Sequence, residues 1–199
     1  MRPDISDVSR DRQSAVTGNS HVRLEVVRGL LEEDPRLVFS ISTDEELAIE
    51  ACAHTGVRPI IRLHLDHGAP YSLPTAVSNG DIAHARFLLD DDPLRVHERG
   101  ADDFAVLWYA AMGGDEVELA ELLIDRGTPV DQESIGTTAL HWCARRGRRE
   151  LARFLIERGA DPNAVGYRWD RAGQTPLQVA LADGRDEGAA VLRYAGARA

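Results

Sequence analysis

Apolar residues in this chain gather in short blocks at helical spacing, and glycine closes most of the blocks. In Gly136 to Ala164, GTTALHWCARRGRRELARFLIERGADPNA, Thr138 is placed to cap a helix starting at Ala139, because a hydroxyl there can accept from an orphaned first-turn amide. Gly147 ends that helix. Arg149 to Glu157 then carries Leu151, Phe154 and Leu155 on one face, which predicts a second helix. Gly159 stops it, since glycine tolerates the left-handed conformation past a helix end. Ala160 to Asn163 reads as an extended turn.

The same punctuation runs along the chain. His21 to Asp34 is helical in pattern, with Val22, Leu24, Val26, Val27, Leu30 and Leu31 apolar. Asp34-Pro35 ends it, because proline disfavours helix in the residue before it. LLEEDPRLV from Leu30 is matched by LLDDDPLRV from Leu88, so this ending occurs twice. Gly56 and Gly68 stand to each other as Gly147 and Gly159 do, and Pro59 falls in a first helical turn, where its missing amide costs little. From Gly56 to Gly80 is 24 residues, against 33 from Gly114 to Gly147; the turn between is cut short. Between Asn163 and Thr175 the chain is longer than the plain interval, so GYRWDRAG enlarges another turn. The units run approximately 20–43, 44–70, 71–102, 103–135, 136–172 and 173–199. Residues 1–19 are polar and without periodicity, which predicts a flexible tail.

GxTxLHxxA over Gly136 to Ala144 and GQTPLQVA over Gly173 to Ala180 resemble the ankyrin repeat, a unit of about 33 residues with two helices and a turn. The resemblance covers roughly residues 20–199. It implies an all-α solenoid of five to six helix-turn-helix units with short or enlarged connecting turns, in which Thr138, Leu140, His141, Thr175, Pro176 and Leu177 are framework. The histidine of the motif would brace neighbouring turns. Ala139 replaces the motif's proline, Gln178 replaces the histidine of the last unit, and Trp108 stands at the histidine position of the fourth. A single unit cannot bury its own apolar face, so residues 20–199 form one cooperative domain. Arg185, Asp186, Glu187, Arg193 and Arg198 give the last unit the polar outer face of a cap.

The resemblance further implies a protein-binding module that uses its turn tips and concave inner-helix surface. Carried over, the tips are Phe104, Ser134, Ile135, Thr137, Arg171 and Gln174, and the late inner-helix positions are Met112, Arg145 and Arg146. Phe104, Ile135 and Met112 would be apolar anchors, unless they pack on their own neighbours. Tyr167, Arg168 and Trp169 in the enlarged turn are residue types enriched at binding hot spots; the alternative is that Trp169 folds back as a lid. Tyr109 and Trp142 occupy matching places and should stack along the array.

Composition narrows the partner. The net charge of -10 argues against nucleic acid and anionic membrane, which both select a basic face. Within that acidic chain, Arg145 to Arg149 with Arg153 is the densest positive stretch. Guanidinium suits carboxylates, so it reads either as a site for an acidic segment of a protein partner or as a solvated turn compensated by Glu150, Glu157 and Asp131. No apolar run reaches the roughly 18 residues of a membrane span, and the first residues lack a secretory pattern. A cytoplasmic protein is the expectation, with Cys52 and Cys143 as buried thiols. All 23 basic residues are arginine, which hints at a GC-rich, bacterial genome.

Chemistry is poorly represented. Cys143 and His141 lie two apart on a helix and do not face each other. Nucleophile elbows, phosphate loops and HExxH are absent. Cys52, His54, His64 and His67 cluster, but without the CxxC or HxxxH pairs of a structural zinc site. The expectation is a non-enzyme with no catalytic residues, no metal and no cofactor. The rival readings are a self-associating structural or regulatory subunit and a metal-dependent protein built on those four residues.

Overall fold

The computed structural model describes residues 4–42, 46–167 and 172–198. Among them twelve α-helices form six consecutive pairs, and no strand is present beyond isolated bridges. The pairs are α1 (Arg10–Ser20) with α2 (Leu24–Glu33), α3 (Ala48–Thr55) with α4 (Arg58–Asp66), and α5 (Leu73–Asn79) with α6 (Ile82–Asp91). They continue as α7 (Val106–Gly113) with α8 (Val117–Asp125), α9 (Ala139–Arg146) with α10 (Arg149–Glu157), and α11 (Pro176–Ala182) with α12 (Asp186–Tyr194). The first helices of the pairs pack side by side as an inner row, and the second helices form an outer row behind them. One apolar core runs between the rows from Val16 to Leu192. No helix of the described residues is long and apolar enough to cross a membrane.

Local signals in the sequence explain most of these elements. The α9–α10 pair has the bounds the glycines set: Gly147 takes φ 70 at the end of α9 and Gly159 takes φ 96 beyond α10. The duplicated Asp-Pro ending builds the same device twice. Asp34 accepts from the Arg36 amide at 3.1 Å and Asp92 from the Leu94 amide at 3.0 Å, and each opens a short 3-10 helix, Pro35–Phe39 and Pro93–His97. Proline at the first position supplies the φ while the aspartate satisfies an orphan amide.

The amino-terminal expectation needs correction. Residues 10–20 form α1, the inner helix of the first unit, packed on α3. The first unit therefore starts about ten residues before the boundary at 20, within the stretch expected to be a tail. RDRQSAVTGNS gives little apolar signal because what it buries is small or polar: Val16, Thr17 and Ser20. Its hydroxyls become buriable by bonding back to their own helix, Thr17 to the Gln13 carbonyl at 3.1 Å and Ser20 to the Val16 carbonyl at 2.8 Å.

The shortened turn is present as expected. α4 and α5 are linked by residues 67–72 alone, whereas the other connections between pairs are longer, and three of them are closed by the bridges Ile41 to Leu47, Arg99 to Ala105 and Ser134 to Thr137. Without a third finger, α3 packs directly on α7 as well as on α5. A Cβ at Gly56 would overlap the Met112 carbonyl oxygen, so only glycine fits this approach.

The aromatic ladder differs from the expected one. Trp108, not Tyr109, meets Trp142, with ring centroids 5.2 Å apart and planes at 71°. Trp108 also stacks on Phe104 at 3.7 Å, and Tyr109 points its edge at Phe104 instead. At the position where the motif has histidine, an indole is long enough to reach along the array, so apolar stacking replaces hydrogen bonding at this step.

Candidate functional site

The expected binding residues divide sharply. Phe104, Met112, Ser134 and Thr137 are buried, which corrects their expected place at the partner surface. Phe104 is sandwiched into the Trp108 stack, and Met112 lies in the core cluster. The Ser134 hydroxyl accepts from the Ala105 amide at 2.8 Å, tying its finger to the start of α7 in the preceding unit. The Thr137 hydroxyl donates to the Ser134 carbonyl at 3.0 Å and accepts from the Trp142 indole at 2.9 Å. These tips are consumed by holding the fingers in place. Ile135 is half-buried against the core and sits at φ 47, a left-handed conformation that costs a β-branched residue roughly 1–3 kcal/mol. Gln174 is half-buried, and its carbonyl faces the His141 ring. Trp169, Arg168 and Arg171 lie outside the described residues.

His141 performs the bracing that the motif implies. Its Nδ1 accepts from the Thr138 amide at 3.2 Å, which leaves Nε2–H to donate to the Gln174 carbonyl at 3.3 Å in the next unit. Burial lowers its basicity, partly offset by the backbone of Gln174 and Ala164 and by the charge of Asp131. Gln178 keeps only the local half of this arrangement, accepting from the Thr175 amide at 2.9 Å.

Arg145, Arg146 and Tyr167 do reach the surface. Arg145 lies over the Trp142 ring, its guanidinium carbon 5.3 Å from the centroid, with Nε 3.9 Å from an Asp183 oxygen. Arg146 spans the concave face and approaches the Thr55 carbonyl of the second unit at 3.4 Å. Its pKa is lowered by partial desolvation and then by Arg148, Arg145 and Arg185, so it sits in a positive field. Arg185 donates from Nε to the Arg145 carbonyl at 3.1 Å. Trp142, Arg145, Arg146, Asp183 and Arg185 line a concave cavity of about 380 Å³.

The rest of the basic stretch is spent elsewhere. Arg148 donates to the Ala111 and Met112 carbonyls, each at 3.3 Å, and so closes the end of α7. Arg149 pairs with Glu187 at 2.9 Å and Arg153 with Glu150 at 2.7 Å. Solvated compensation thus describes the outer-row arginines, and the concave cluster is a different set. Arg185 was expected on the polar outer face and belongs instead to the concavity. Tyr167 donates to Glu133 at 2.5 Å, between two fingers.

The four residues considered for metal are not brought together. Cys52 is buried, with its thiol on the Ile49 carbonyl at 3.0 Å. His64 is buried with Nε2 2.9 Å from the Ser20 hydroxyl, and His67 Nδ1 faces the Leu63 carbonyl at 2.9 Å. His54 turns away from all three, toward Glu46, with its Nδ1 2.7 Å from Oε1, and toward His21, with ring centroids 4.9 Å apart.

Comparison with known proteins agrees with this geometry. Residues 73–166 match the family model described as Ankyrin repeats (3 copies), and residues 140–194 match that described as Ankyrin repeats (many copies). The chain is 28% identical over 177 residues to Palmitoyltransferase AKR1 of Lachancea kluyveri, which is 81% of this chain and 23% of that protein. It is 26% identical over 166 residues to Protein glp-1 of Caenorhabditis elegans, 77% of this chain and 12% of that protein. A Putative ankyrin repeat-containing protein of Treponema pallidum is 42% identical over 78 residues, 38% of this chain and 24% of that protein. The chain therefore spans no more than 24% of the length of any of these relatives.

Proposed function

This chain belongs to the ankyrin-repeat family, and we propose that it is a non-enzymatic interaction module that holds an acidic segment of a partner protein in the concavity of its fifth and sixth units. Ankyrin repeats in general bind protein. The finer reading rests on one observation, the convergence of Arg145, Arg146 and Arg185 beside the Trp142 ring. Like charges gathered in a chain of net charge -10 repel one another, and carboxylates entering between them relieve that repulsion while forming charge-assisted hydrogen bonds. Trp142 adds a rigid apolar wall of the kind that anchors binding.

The array is preorganised, so association costs little ordering entropy. Tyr167 in the enlarged turn, exposed and held by Glu133, is a further candidate contact for the partner. The palmitoyltransferase relative aligns over 23% of its length, and the reading takes nothing of its activity. A cytoplasmic location and a bacterial source remain part of this reading.

The test compares proteins retained from a lysate of the source organism by wild type, by Arg146→Glu and by Arg145→Glu/Arg185→Glu, each checked for native far-UV circular dichroism. The expected result is a partner held by wild type in 0.15 M salt, lost from both variants, and carrying a run of Asp or Glu in the segment that wild type protects from proteolysis. Equal retention by wild type and both variants would overturn the reading.

A further inference from the structure

The missing third finger leaves a gap, and the gap is a cleft of about 590 Å³ between α1, α3 and the finger of the fourth unit. Thr17 and His21 line it from the α1 side, Glu46, Glu50 and His54 from the α3 side, and Arg99 to Asp102 from the opposite finger. No residue of the 67–72 turn reaches it. We propose that His21, Glu46 and His54 form a binding site for a zinc-class divalent cation, with the remaining coordination positions open to this cleft.

Each of the three offers one donor atom, and these atoms all lie within 4.8 Å of one another. Two imidazoles and one carboxylate are a donor set that borderline ions such as Zn²⁺ take, with bonds of about 2.0–2.2 Å. A tetrahedral centre with such bonds separates its ligand atoms by about 3.4 Å. The His54 Nδ1 to Glu46 Oε1 distance is 2.7 Å, so that pair has to open slightly and the third ligand has to close. Rotation of side chains by about 1 Å, the scale of an ordinary rotamer adjustment, accomplishes both.

Two further features favour a cation over a plain ion pair. His54 Nδ1 and Glu46 Oε1 are buried 2.7 Å apart, and beyond that contact neither has a hydrogen-bond partner among the described residues. Buried polar atoms without partners are uncommon, and a bound ion is one of the ordinary reasons for them. His21 Nδ1 lies 3.2 Å from the Gly18 carbonyl, which fixes Nδ1 as the protonated nitrogen and leaves the Nε2 lone pair available. Histidines that bind metal commonly direct their other N–H to a backbone carbonyl in this way.

The supports are also rigid. The Thr55 hydroxyl donates to the His21 carbonyl at 2.9 Å and so ties the end of α1 to the end of α3. The Glu46 backbone is held at both ends of a short loop, its amide on the Ser42 hydroxyl at 3.1 Å and its carbonyl accepting from the Ser42 amide at 2.8 Å. A cation here would add a second brace between the first two units, beside the contact of His64 Nε2 with the Ser20 hydroxyl at 2.9 Å. Because the three residues come from two units, binding favours the folded array and stabilises it.

The experiment uses the full chain, stripped with a chelator and then titrated with Zn²⁺ by calorimetry and with Co²⁺ by visible absorption. Expected are one tightly bound Zn²⁺ per chain, Co²⁺ d–d bands of a nitrogen and oxygen site, and a thermal midpoint that rises with Zn²⁺. Affinity should fall at least about tenfold in each of His21→Asn, Glu46→Gln and His54→Gln. Circular dichroism of each metal-free variant is compared with metal-free wild type; should His54→Gln lose the fold, Glu46→Gln in the preceding loop carries the same comparison. No stoichiometric binding by wild type overturns the proposal, and so does binding that survives in Glu46→Gln and in the His21→Asn/Glu46→Gln double variant, which would assign it to other surface histidines.

Discussion

Replacing Gly56 by alanine tests how the shortened third unit shapes the array. Gly56 adopts φ 76 at the end of α3, and a Cβ there would overlap the Met112 carbonyl oxygen and lie 2.8 Å from its carbon. Two costs combine. The left-handed conformation costs an alanine about 1–2 kcal/mol, and forcing α3 away from α7 costs about 1–3 kcal/mol, as overpacking does. Gly68→Ala isolates the first cost, since Gly68 has φ 82 and open space where a Cβ would go. Gly113→Ala gives an overpacking cost without the conformational one, at the neighbouring α5–α7 contact, since its Cβ would overlap the Ser78 carbonyl oxygen and no positive φ is involved. Urea unfolding followed by far-UV circular dichroism should therefore rank Gly56→Ala lowest, at about 2–5 kcal/mol below wild type. Gly68→Ala should lose only about 1–2 kcal/mol. If Gly56→Ala and Gly68→Ala unfold at the same urea concentration with the same slope, α3 does not press on α7 and the account of the missing finger fails.

Other perturbations follow from the same packing. Burial, with His67 nearby, depresses the His64 pKa to about 4 from its ordinary 6.5. The unfolded chain takes up that proton first, so this contribution is complete above pH 6.5 and is lost as pH falls toward 4, roughly 3 kcal/mol in all at 1.36 kcal/mol per unit. Titration by NMR should find the ring neutral at pH 5.5, and a ring that charges near 6.5 would contradict it. Leu140 is 1% exposed in α9, and Leu140→Ala should cost about 2–5 kcal/mol in a denaturant melt; a loss under about 1 kcal/mol would show that the site is not packed as described. Burial pushes the Cys52 and Cys143 thiols far up, so a disulfide reagent should label neither in the native protein and both in urea, whereas rapid native labelling would place a thiol at the surface.

What the sequence determined by itself is the set of local punctuation marks. Gly147, Gly159 and the two Asp-Pro endings act within a few residues of themselves, so the ends of α9, α10, α2 and α6 were legible. The 24-residue interval from Gly56 to Gly80 gave away the short turn for the same reason. α1 was not legible, because its burial depends on hydroxyls bonding back to their own helix, and polarity then masks an inner surface. Nor were the fates of Phe104, Ser134 and Thr137 at the fingers and of Met112 late in an inner helix; whether such a position is free depends on the finger or helix beside it. Arg145 and Arg146 were legible as concave positions, whereas the arrival of Arg185 beside them, and the meeting of His21, Glu46 and His54, were decided by tertiary structure. Each set joins residues of different units, and the distance between units follows from how the whole row curves. That curvature comes from packing between helices remote in sequence, such as α3 on α7, and no interval along the chain encodes it.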